Sequence, residues 1–273
     1  MPTPAKHLLY SVVRIETTLI DGSRSEGTSF VFRDQASPPR VDLFLVSNKH
    51  VVADSVTGQM FFTPKDSTGK PLLGQPFHVQ NDQFGSQWHG HPDPKVDVAI
   101  TPLSWQLRRW EQGGQVAYLA PISLDDIATP DVLENLDVSA PVNFVGFPDG
   151  KFDRKHFLPI MRRGHVATSP ELDFDGDPIF LIDASVFPGS SGSPVFTVGD
   201  GLIGGTPPLK FIGLISAVFF QPIDGRLERR PAPVTHIDVP VVDQMIDLGV
   251  VFKARCVRET ITSFWEARRR IEG

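Results

Sequence analysis

The segment Phe187–Phe196 carries the side chains best suited to chemistry in this sequence. It reads Phe-Pro-Gly-Ser-Ser-Gly-Ser-Pro-Val-Phe, with small residues between apolar segments. The pattern predicts a strand, a tight turn and a second strand. A serine on such a turn can project its hydroxyl into a cleft, where the N–H groups of the turn can stabilise an oxyanion. A glycine- and serine-rich hairpin loop without a chemical role fits the same segment.

A serine hydroxyl is a weak nucleophile at neutral pH, so this chemistry needs a base within hydrogen-bonding distance. The chain has eight histidines, and His50 alone stands directly after a predicted buried strand and directly before an apolar pair. A lone histidine in such a place is more often structural than catalytic. His89 and His91 stand close together and could bind a metal, but no third or fourth ligand is evident nearby, which favours a solvated loop.

Asp97 is the candidate carboxylate for orienting such a base. It stands between Val96 and Val98 at the start of an apolar strand. A buried charge is costly unless it has a partner, and a carboxylate bonded to the base would fix its tautomer and stabilise the imidazolium. A residue at the edge of a strand is the alternative interpretation of Asp97.

Composition and charge are those of an ordinary globular protein. Of the 273 residues, 40% are hydrophobic and 21% are charged, and the net charge of −6 disfavours a nucleic-acid partner. The single cysteine, Cys256, excludes an internal disulfide. The N-terminal residues lack the pattern of a secretory signal, and no apolar run has the length of a membrane span. We therefore expect a cytoplasmic protein that does not bind membranes.

Short apolar and β-branched segments at fairly regular spacing predict a strand-rich protein. The expected strands are 11–20, 27–32, 41–46, 59–63, 77–80, 96–102, 142–147, 157–162, 164–168, 179–183, 211–220 and 234–239. Near the end of the chain, apolar residues at helical spacing predict a helix over 240–248, which Gly249 would terminate, and a second over 259–271. A short helix is expected over 105–111. Residues 116–140 are expected to connect the two sets of strands.

Several segments of this chain occur together, in the same order, in a known family of enzymes. They are Gly27–Phe30, Ser47–Val51, Val96–Ile100, Gly146–Pro148, Arg163–Val166, Asp183–Pro194 and Gly213–Ser216. In these segments the chain resembles the trypsin-like, chymotrypsin-fold serine peptidases. It is most similar to their cysteine-poor bacterial branch, which includes the high-temperature-requirement (Deg-type) proteases and the staphylococcal glutamyl-endopeptidase type. The resemblance as a whole extends from residue 11 to about residue 248.

The resemblance implies an all-β fold of two six-stranded antiparallel Greek-key barrels with C-terminal helices. The peptidase domain would occupy residues 1–249. Its first barrel would cover about 8–115 and its second about 141–239, with the helix over 240–248 closing the domain. Residues 250–273 would form a C-terminal helical extension.

The resemblance also implies a role for each candidate residue of the site. His50 would be the general base, Asp97 the carboxylate that orients it, and Ser191 the nucleophile. The backbone N–H groups of Gly189 and Ser191 would form the oxyanion hole. The hydroxyl of Ser216 would bond to the aspartate.

Further positions are implied to bind the substrate. The segment that would pair with the substrate backbone as an added strand consists of Ser216, Ala217 and Val218. Ser185 would form the floor of the pocket for the residue that precedes the cut, with Val186 and Val218 as its walls. Such an apolar, uncharged pocket favours small aliphatic residues. Alternatively, charged residues of the loop 221–231 rebuild this pocket.

The chain departs from the family at two places. Ser190 stands where the family usually has Asp or Asn, a residue that pairs with a newly cut N-terminus in secreted members. That activation switch is therefore expected to be absent. The residues after Gly249 are too few for the PDZ domain that follows the peptidase domain in Deg-type members, so we expect none.

The leading hypothesis is a serine endopeptidase that cleaves protein or peptide substrates through an acyl-enzyme, without a metal or cofactor. A catalytically silent binding or regulatory module on the same fold is the alternative. A non-peptidase esterase is weaker, because α/β-hydrolases have the order Ser, Asp, His, whereas the order here is His, Asp, Ser. A partner protein, as substrate or activator, could restrain such a protease in the cytoplasm.

Overall fold

Two sets of strands form most of the secondary structure of the computed structural model, which describes residues 4–35, 42–198, 209–223 and 242–272. The model describes the backbone alone at residues 4, 218–223, 242–246 and 271–272. The strands are β1 (Val12–Leu19), β2 (Arg24–Asp34), β3 (Asp42–Ser47), β4 (Ser55–Phe62), β5 (Phe77–Asp82), β6 (His89–Gly90), β7 (Ala99–Pro102), β8 (Ile122–Ser123), β9 (Pro141–Gly146), β10 (Ile160–Val166), β11 (Ile179–Asp183), β12 (Pro194–Thr197), β13 (Phe211–Ile223) and β14 (Val242–Lys253). The helices are α1 (Pro4–His7), α2 (Lys49–Val52), α3 (Ser104–Gln112), α4 (Pro130–Glu134) and α5 (Ala254–Glu272).

The first set of strands forms a curled sheet of eight strands. Its order is β5-β4-β1-β2-β3-β7-β6, and β8 pairs in parallel with β2. The predicted all-β double-barrel fold is confirmed, but this half is not the closed six-stranded barrel that the sequence predicts, because the end strands β5 and β6 do not pair. The chain joins them through a single 3-10 turn at Phe84–Gln87, in which Phe84 is buried. Since β6 has only two residues, it offers little edge for a ladder that would close the barrel.

The second set closes into a six-stranded barrel in the order β10-β11-β14-β13-β12-β9. The helix predicted over 240–248 is wrong, because residues 242–253 form β14, which pairs with β11 on one edge and β13 on the other. Within the segment predicted as a helix, residues 242–245 pair with β13, and pairing with β11 begins at Leu248. This cross-strand pairing overrides the helical spacing of the apolar side chains. The predicted strand 234–239 and most of the loop 221–231 lie outside the described residues.

The C-terminal helix α5 follows β14 directly and begins earlier than the predicted 259–271. The rings of Phe264 and Trp265 pack against Phe44 of β3, with centroids 5.5 and 5.8 Å away. Trp265 Nε1 also donates to Asp34 Oδ2 at 2.9 Å. The helix therefore covers the first sheet. No helix in the described part of the chain is long and apolar enough to cross a membrane.

The two sheets meet along a buried aromatic seam. The ring of Phe211 on β13 lies 5.3 Å from that of Phe30 on β2 and 5.8 Å from that of Phe196 on β12. All three rings are buried, and each contributes about 1.5–3 kcal/mol by leaving water. Val98 belongs to the same buried cluster, so the seam also anchors the segment that carries Asp97.

Candidate active site

His50 and Asp97 lie side by side because neighbouring strands lead to them. β3 ends just before α2, which carries His50, and pairs with β7, which begins just after Asp97. His50 Nδ1 lies 2.6 Å from Asp97 Oδ2, and the backbone N–H of His50 donates to Asp97 Oδ1 at 3.0 Å. The carboxylate favours a proton on Nδ1, which leaves Nε2 as an acceptor. The His50 side chain is 50% exposed, so the ring is accessible from solvent.

Further hydrogen bonds hold Asp97 in place. Ser216 Oγ donates to Asp97 Oδ2 at 2.6 Å, and Asn48 Nδ2 donates to the backbone carbonyl of Asp97 at 2.7 Å. Burial raises the pKa of the Asp97 carboxyl, but the hydrogen bonds from His50 and Ser216 and the charge of His50 outweigh it, so this pKa is lowered from its usual value. The side chain is therefore ionised at neutral and mildly acidic pH.

Ser191 stands on the turn between β11 and β12, as predicted. Its Oγ donates to the backbone carbonyl of Ser216 at 3.1 Å. Ser216 therefore contacts both partners, with its carbonyl on Ser191 and its hydroxyl on Asp97. Within the residues that the structure describes, no hydrogen bond joins Ser191 Oγ to His50. Hydrogen bonds between a nucleophile and its base often tighten only when substrate is bound.

The turn presents backbone N–H groups beside Ser191. Thr28 fixes their position: its Oγ1 donates to the carbonyl of Gly189 at 2.9 Å and accepts from Phe147 N at 3.1 Å, and its N–H donates to the carbonyl of Ser191 at 2.9 Å. The N–H groups of Gly189 and Ser191 donate to no other group in the described ranges. Two unpaired donors beside a serine hydroxyl can stabilise negative charge on a bound oxygen. Sequence reasoning missed Thr28, whose one signal is a polar side chain inside an apolar strand.

Gly192 fixes the shape of this turn, and replacing it with alanine is expected to destabilise the protein. Its φ is +84°, and an added Cβ would overlap the carbonyl oxygen of Thr28 and lie 2.8 Å from Ser47 Oγ. Left-handed strain of about 1–2 kcal/mol and overpacking of about 1–3 kcal/mol should together lower the free energy of unfolding by roughly 2–5 kcal/mol, measured by urea unfolding.

Gly22→Ala is the matched control for this substitution. Gly22 has a φ of +83°, and nothing lies within 4 Å of an added Cβ. This variant should therefore show the backbone strain without the overlap. Equal losses of stability in the two variants would contradict the role assigned to the contact between Gly192 and Thr28.

The segment Ser216–Val218 offers a free strand edge. β13 pairs with β14 along one edge here, but its ladder with β12 ends at Leu214. Beyond that residue the second edge has no strand partner among the described residues. Ala217 is exposed on this segment. An extended peptide can therefore add to this edge as a further strand.

The two other predicted pocket residues lie on the loop after β11. Ser185 is half-buried, whereas Val186 is 3% exposed and belongs to the core of the second barrel. An added Cβ on Gly249 would lie 2.8 Å from Val186 Cγ2, and Gly249 pairs with Val218. The structure describes only the backbone of Val218. Gly249, which sequence reasoning used only to terminate a helix, is therefore a further residue beside the predicted pocket.

His89, in β6, and His91, directly after β6, pack against α5 instead of lying in a solvated loop. His91 Nε2 lies 3.2 Å from Glu259 Oε2, and its side chain is 7% exposed. His89 Nε2 lies 3.2 Å from Ser263 Oγ. Each histidine thus has a partner on the C-terminal helix. The described residues contain no cluster of three or more side chains suited to hold a metal ion.

Comparisons with known proteins identify similar sequences and folds. A family model described as a trypsin-like peptidase domain matches residues 27–204. No curated protein matches the chain in sequence. Among solved structures, the HtrA-type protease AlgW with a tripeptide is similar with a TM-score of 0.53 and 15% identity, over 96% of this chain and 63% of that one. A protease from M. tuberculosis in its active form gives a TM-score of 0.49 and 20% identity, over 96% and 86% of the two chains.

The similarity to the HtrA-type protease confirms the chymotrypsin-like fold, with its closed barrel and curled sheet. This chain spans less than two thirds of the length of that structure, since it covers 63% of it. The family match includes His50, Asp97 and Ser191, all of which lie between residues 27 and 204.

Proposed function

The chain belongs to the family of trypsin-like peptidase domains, and on this basis we propose that it is a serine endopeptidase with Ser191 as its nucleophile. The observation that carries the proposal is a chain of hydrogen bonds from His50 through Asp97 and Ser216 to Ser191. A base, a carboxylate and a serine beside unpaired N–H donors are the groups that acyl transfer to serine requires.

Each group would have a defined part in the reaction. His50 Nε2 takes the proton of Ser191 Oγ as that oxygen attacks the peptide carbonyl, and Asp97 stabilises the imidazolium that results. The N–H groups of Gly189 and Ser191 bind the negative oxygen of the tetrahedral intermediate. The imidazolium then protonates the leaving amine, and an acyl-enzyme remains. Water attacks the acyl-enzyme with His50 again as base, and Ser191 regains its proton.

A fluorophosphonate probe tests this proposal directly. An activated serine displaces fluoride and forms a Ser Oγ–P bond, which intact-mass measurement and peptide mapping would locate. We expect labelling at Ser191 and no labelling of Ser191→Ala. Labelling at another serine would contradict the assignment of the nucleophile.

A catalytically silent module is the second candidate function. The observation that favours it is the hydrogen bond from Ser191 Oγ to the Ser216 carbonyl, because this bond directs the hydroxyl away from the base. A silent module should stay unlabelled by the probe and should cleave no peptide. It should still bind extended peptides along the free edge of β13.

The residue before the cut should be small and aliphatic. In the proposed pocket, Ser185 offers no carboxylate for Lys or Arg, and the neighbouring Val186 is apolar. Such a pocket discriminates by about 1–3 kcal/mol per methylene. A peptide library should therefore show a modest preference for Ala, Val or Leu at this position. A strong preference for Arg, Lys, Asp or Glu would instead favour the charged loop 221–231 as the determinant.

A further inference from the structure

An open cleft of about 650 Å³ begins at Gly189, beside the proposed oxyanion hole. Its lining includes Arg24, at the start of β2, and Arg154, on the loop after β9. A peptide bound with its carbonyl at Gly189 therefore has room to continue into a cleft that both arginines line.

The position of Ser191 shows which part of a substrate would enter this cleft. Ser191 Oγ bonds to Ser216 on β13, whereas the Ser191 carbonyl accepts from Thr28 N on β2. The serine thus stands between the two strands. In the proposed function, residues before the cut lie along the free edge of β13. Residues after the cut then leave on the β2 side, where the cleft begins.

The carboxylates that line the cleft already have basic partners. Glu26 Oε1 lies 3.0 Å from Arg14 Nη2. Asp149 pairs with Lys151. Arg14 also pairs with Glu16, which lies outside the cleft lining, so it neutralises Glu26 only in part. Neither cleft carboxylate forms an ion pair with Arg24 or Arg154 among the described residues.

Arg24 and Arg154 supply the positive charge that remains. Both are exposed, and neither forms an ion pair with any residue in the described ranges. The cleft is therefore locally positive in a chain whose net charge is −6. Two unpaired guanidinium groups facing one groove are suited to bind carboxylates, which they can bond through paired N–H donors.

The backbone around Arg154 is held in place before any ligand binds. Asp153 Oδ1 accepts hydrogen bonds from the N–H groups of Lys155 at 3.0 Å and His156 at 3.1 Å. Phe157 N donates to the Asp153 carbonyl at 2.7 Å. Because these bonds already order the loop, binding has mainly the side chain of Arg154 to immobilise.

Distances along the chain indicate the substrate positions involved. Arg24 lies four residues from Thr28 on β2, which is about 13 Å at the usual rise of a strand. An extended peptide advances about 3.3–3.6 Å per residue, so a substrate that followed β2 from Thr28 would place its third or fourth residue after the cut near Arg24. We propose that the cleft binds acidic side chains at the second to fourth residues after the scissile bond, with Arg24 and Arg154 as specificity-determining residues. The direction of the peptide rests on the proposed endopeptidase function.

Binding to the full-length Ser191→Ala variant tests this proposal without requiring cleavage. Two fluorescent peptides would share a valine before the scissile bond and differ only at the second to fourth residues after it, which are Glu in one and Gln in the other. Anisotropy titration at low salt should show that the Glu peptide binds roughly tenfold more tightly than the Gln peptide. Adding Arg24→Ala or Arg154→Ala to the Ser191→Ala variant should weaken binding of the Glu peptide by about two- to fivefold each. Binding of the Gln peptide should not change.

Lys155→Ala, added to the same variant, is the matched control, because Lys155 is an exposed cation next to Arg154 but outside the cleft lining. It should preserve the preference for Glu. Equal affinity for the two peptides, no binding of the Glu peptide, or equal weakening by Lys155→Ala would overturn the proposal.

Cleavage of both peptides by the unsubstituted chain is measured separately. A Glu preference in binding without cleavage would refute the endopeptidase alone, whereas cleavage without that preference would refute the acidic subsite alone.

Discussion

Replacing Ser191 by alanine is expected to abolish peptide-bond hydrolysis while the fold persists. For a nucleophile of this kind the loss in kcat is about 10⁴-fold or more. Among the described residues, Ser191 Oγ makes one hydrogen bond, to the Ser216 carbonyl, so its loss should change the free energy of unfolding by only about 0.5–1.5 kcal/mol. Turnover of a fluorogenic peptide and urea unfolding of the same samples would measure both quantities.

The two neighbouring serines are the controls for Ser191→Ala. Ser190 and Ser193 are buried, and the Oγ atom of each has no hydrogen-bond partner among the residues that the structure describes. Replacing either with alanine removes an unsatisfied polar group, so Ser190→Ala and Ser193→Ala should retain most of the activity and the stability. An inactive Ser190→Ala variant beside an active Ser191→Ala variant would show that the nucleophile has been assigned to the wrong serine.

Each part of the candidate site has a short-range signal in the local sequence. His50 follows an apolar strand, Asp97 interrupts another, and Ser191 lies between glycines on a turn. Short-range signals do not place these residues together. The pairing of β3 with β7 brings the first two into contact, and only the resemblance to a known family anticipates that arrangement.

Features that depend on distant partners could not be predicted. Residues 242–248 have helical spacing, yet they form part of β14 because β13 supplies backbone partners for 242–245 and β11 supplies one for Leu248. The local sequence predicts a solvated loop at His91, because the partner of His91, Glu259, lies far along the chain. Thr28 acts by bonding to Gly189 across the seam between the sheets. Such a contact leaves little trace in the local sequence beyond a buried polar residue.

Asp97→Asn is expected to keep the shape of the site and lower kcat by about 10⁴-fold. The amide oxygen can still accept hydrogen bonds from the backbone N–H of His50 or from Ser216, which now donate to the carboxylate. The amide NH₂ would then face His50 Nδ1 as a donor. This arrangement favours the tautomer with its proton on Nε2, which cannot accept a proton from Ser191. Steady-state kinetics on the fluorogenic peptide would measure the loss.

Asp93→Asn controls for a change of charge in the same loop. The Asp93 carboxylate accepts a hydrogen bond from the backbone N–H of Lys95. Among the described residues it makes no hydrogen bond to the imidazole of His50, so this variant should remain active.

The pH profile adds an independent test. Because the pKa of Asp97 is lowered, its carboxylate stays charged in mild acid, so loss of the Asp97 charge should lower activity only below the usual pH range of a carboxyl group. An Asp97→Asn variant as active as Asp93→Asn would exclude His50 as the general base oriented by Asp97.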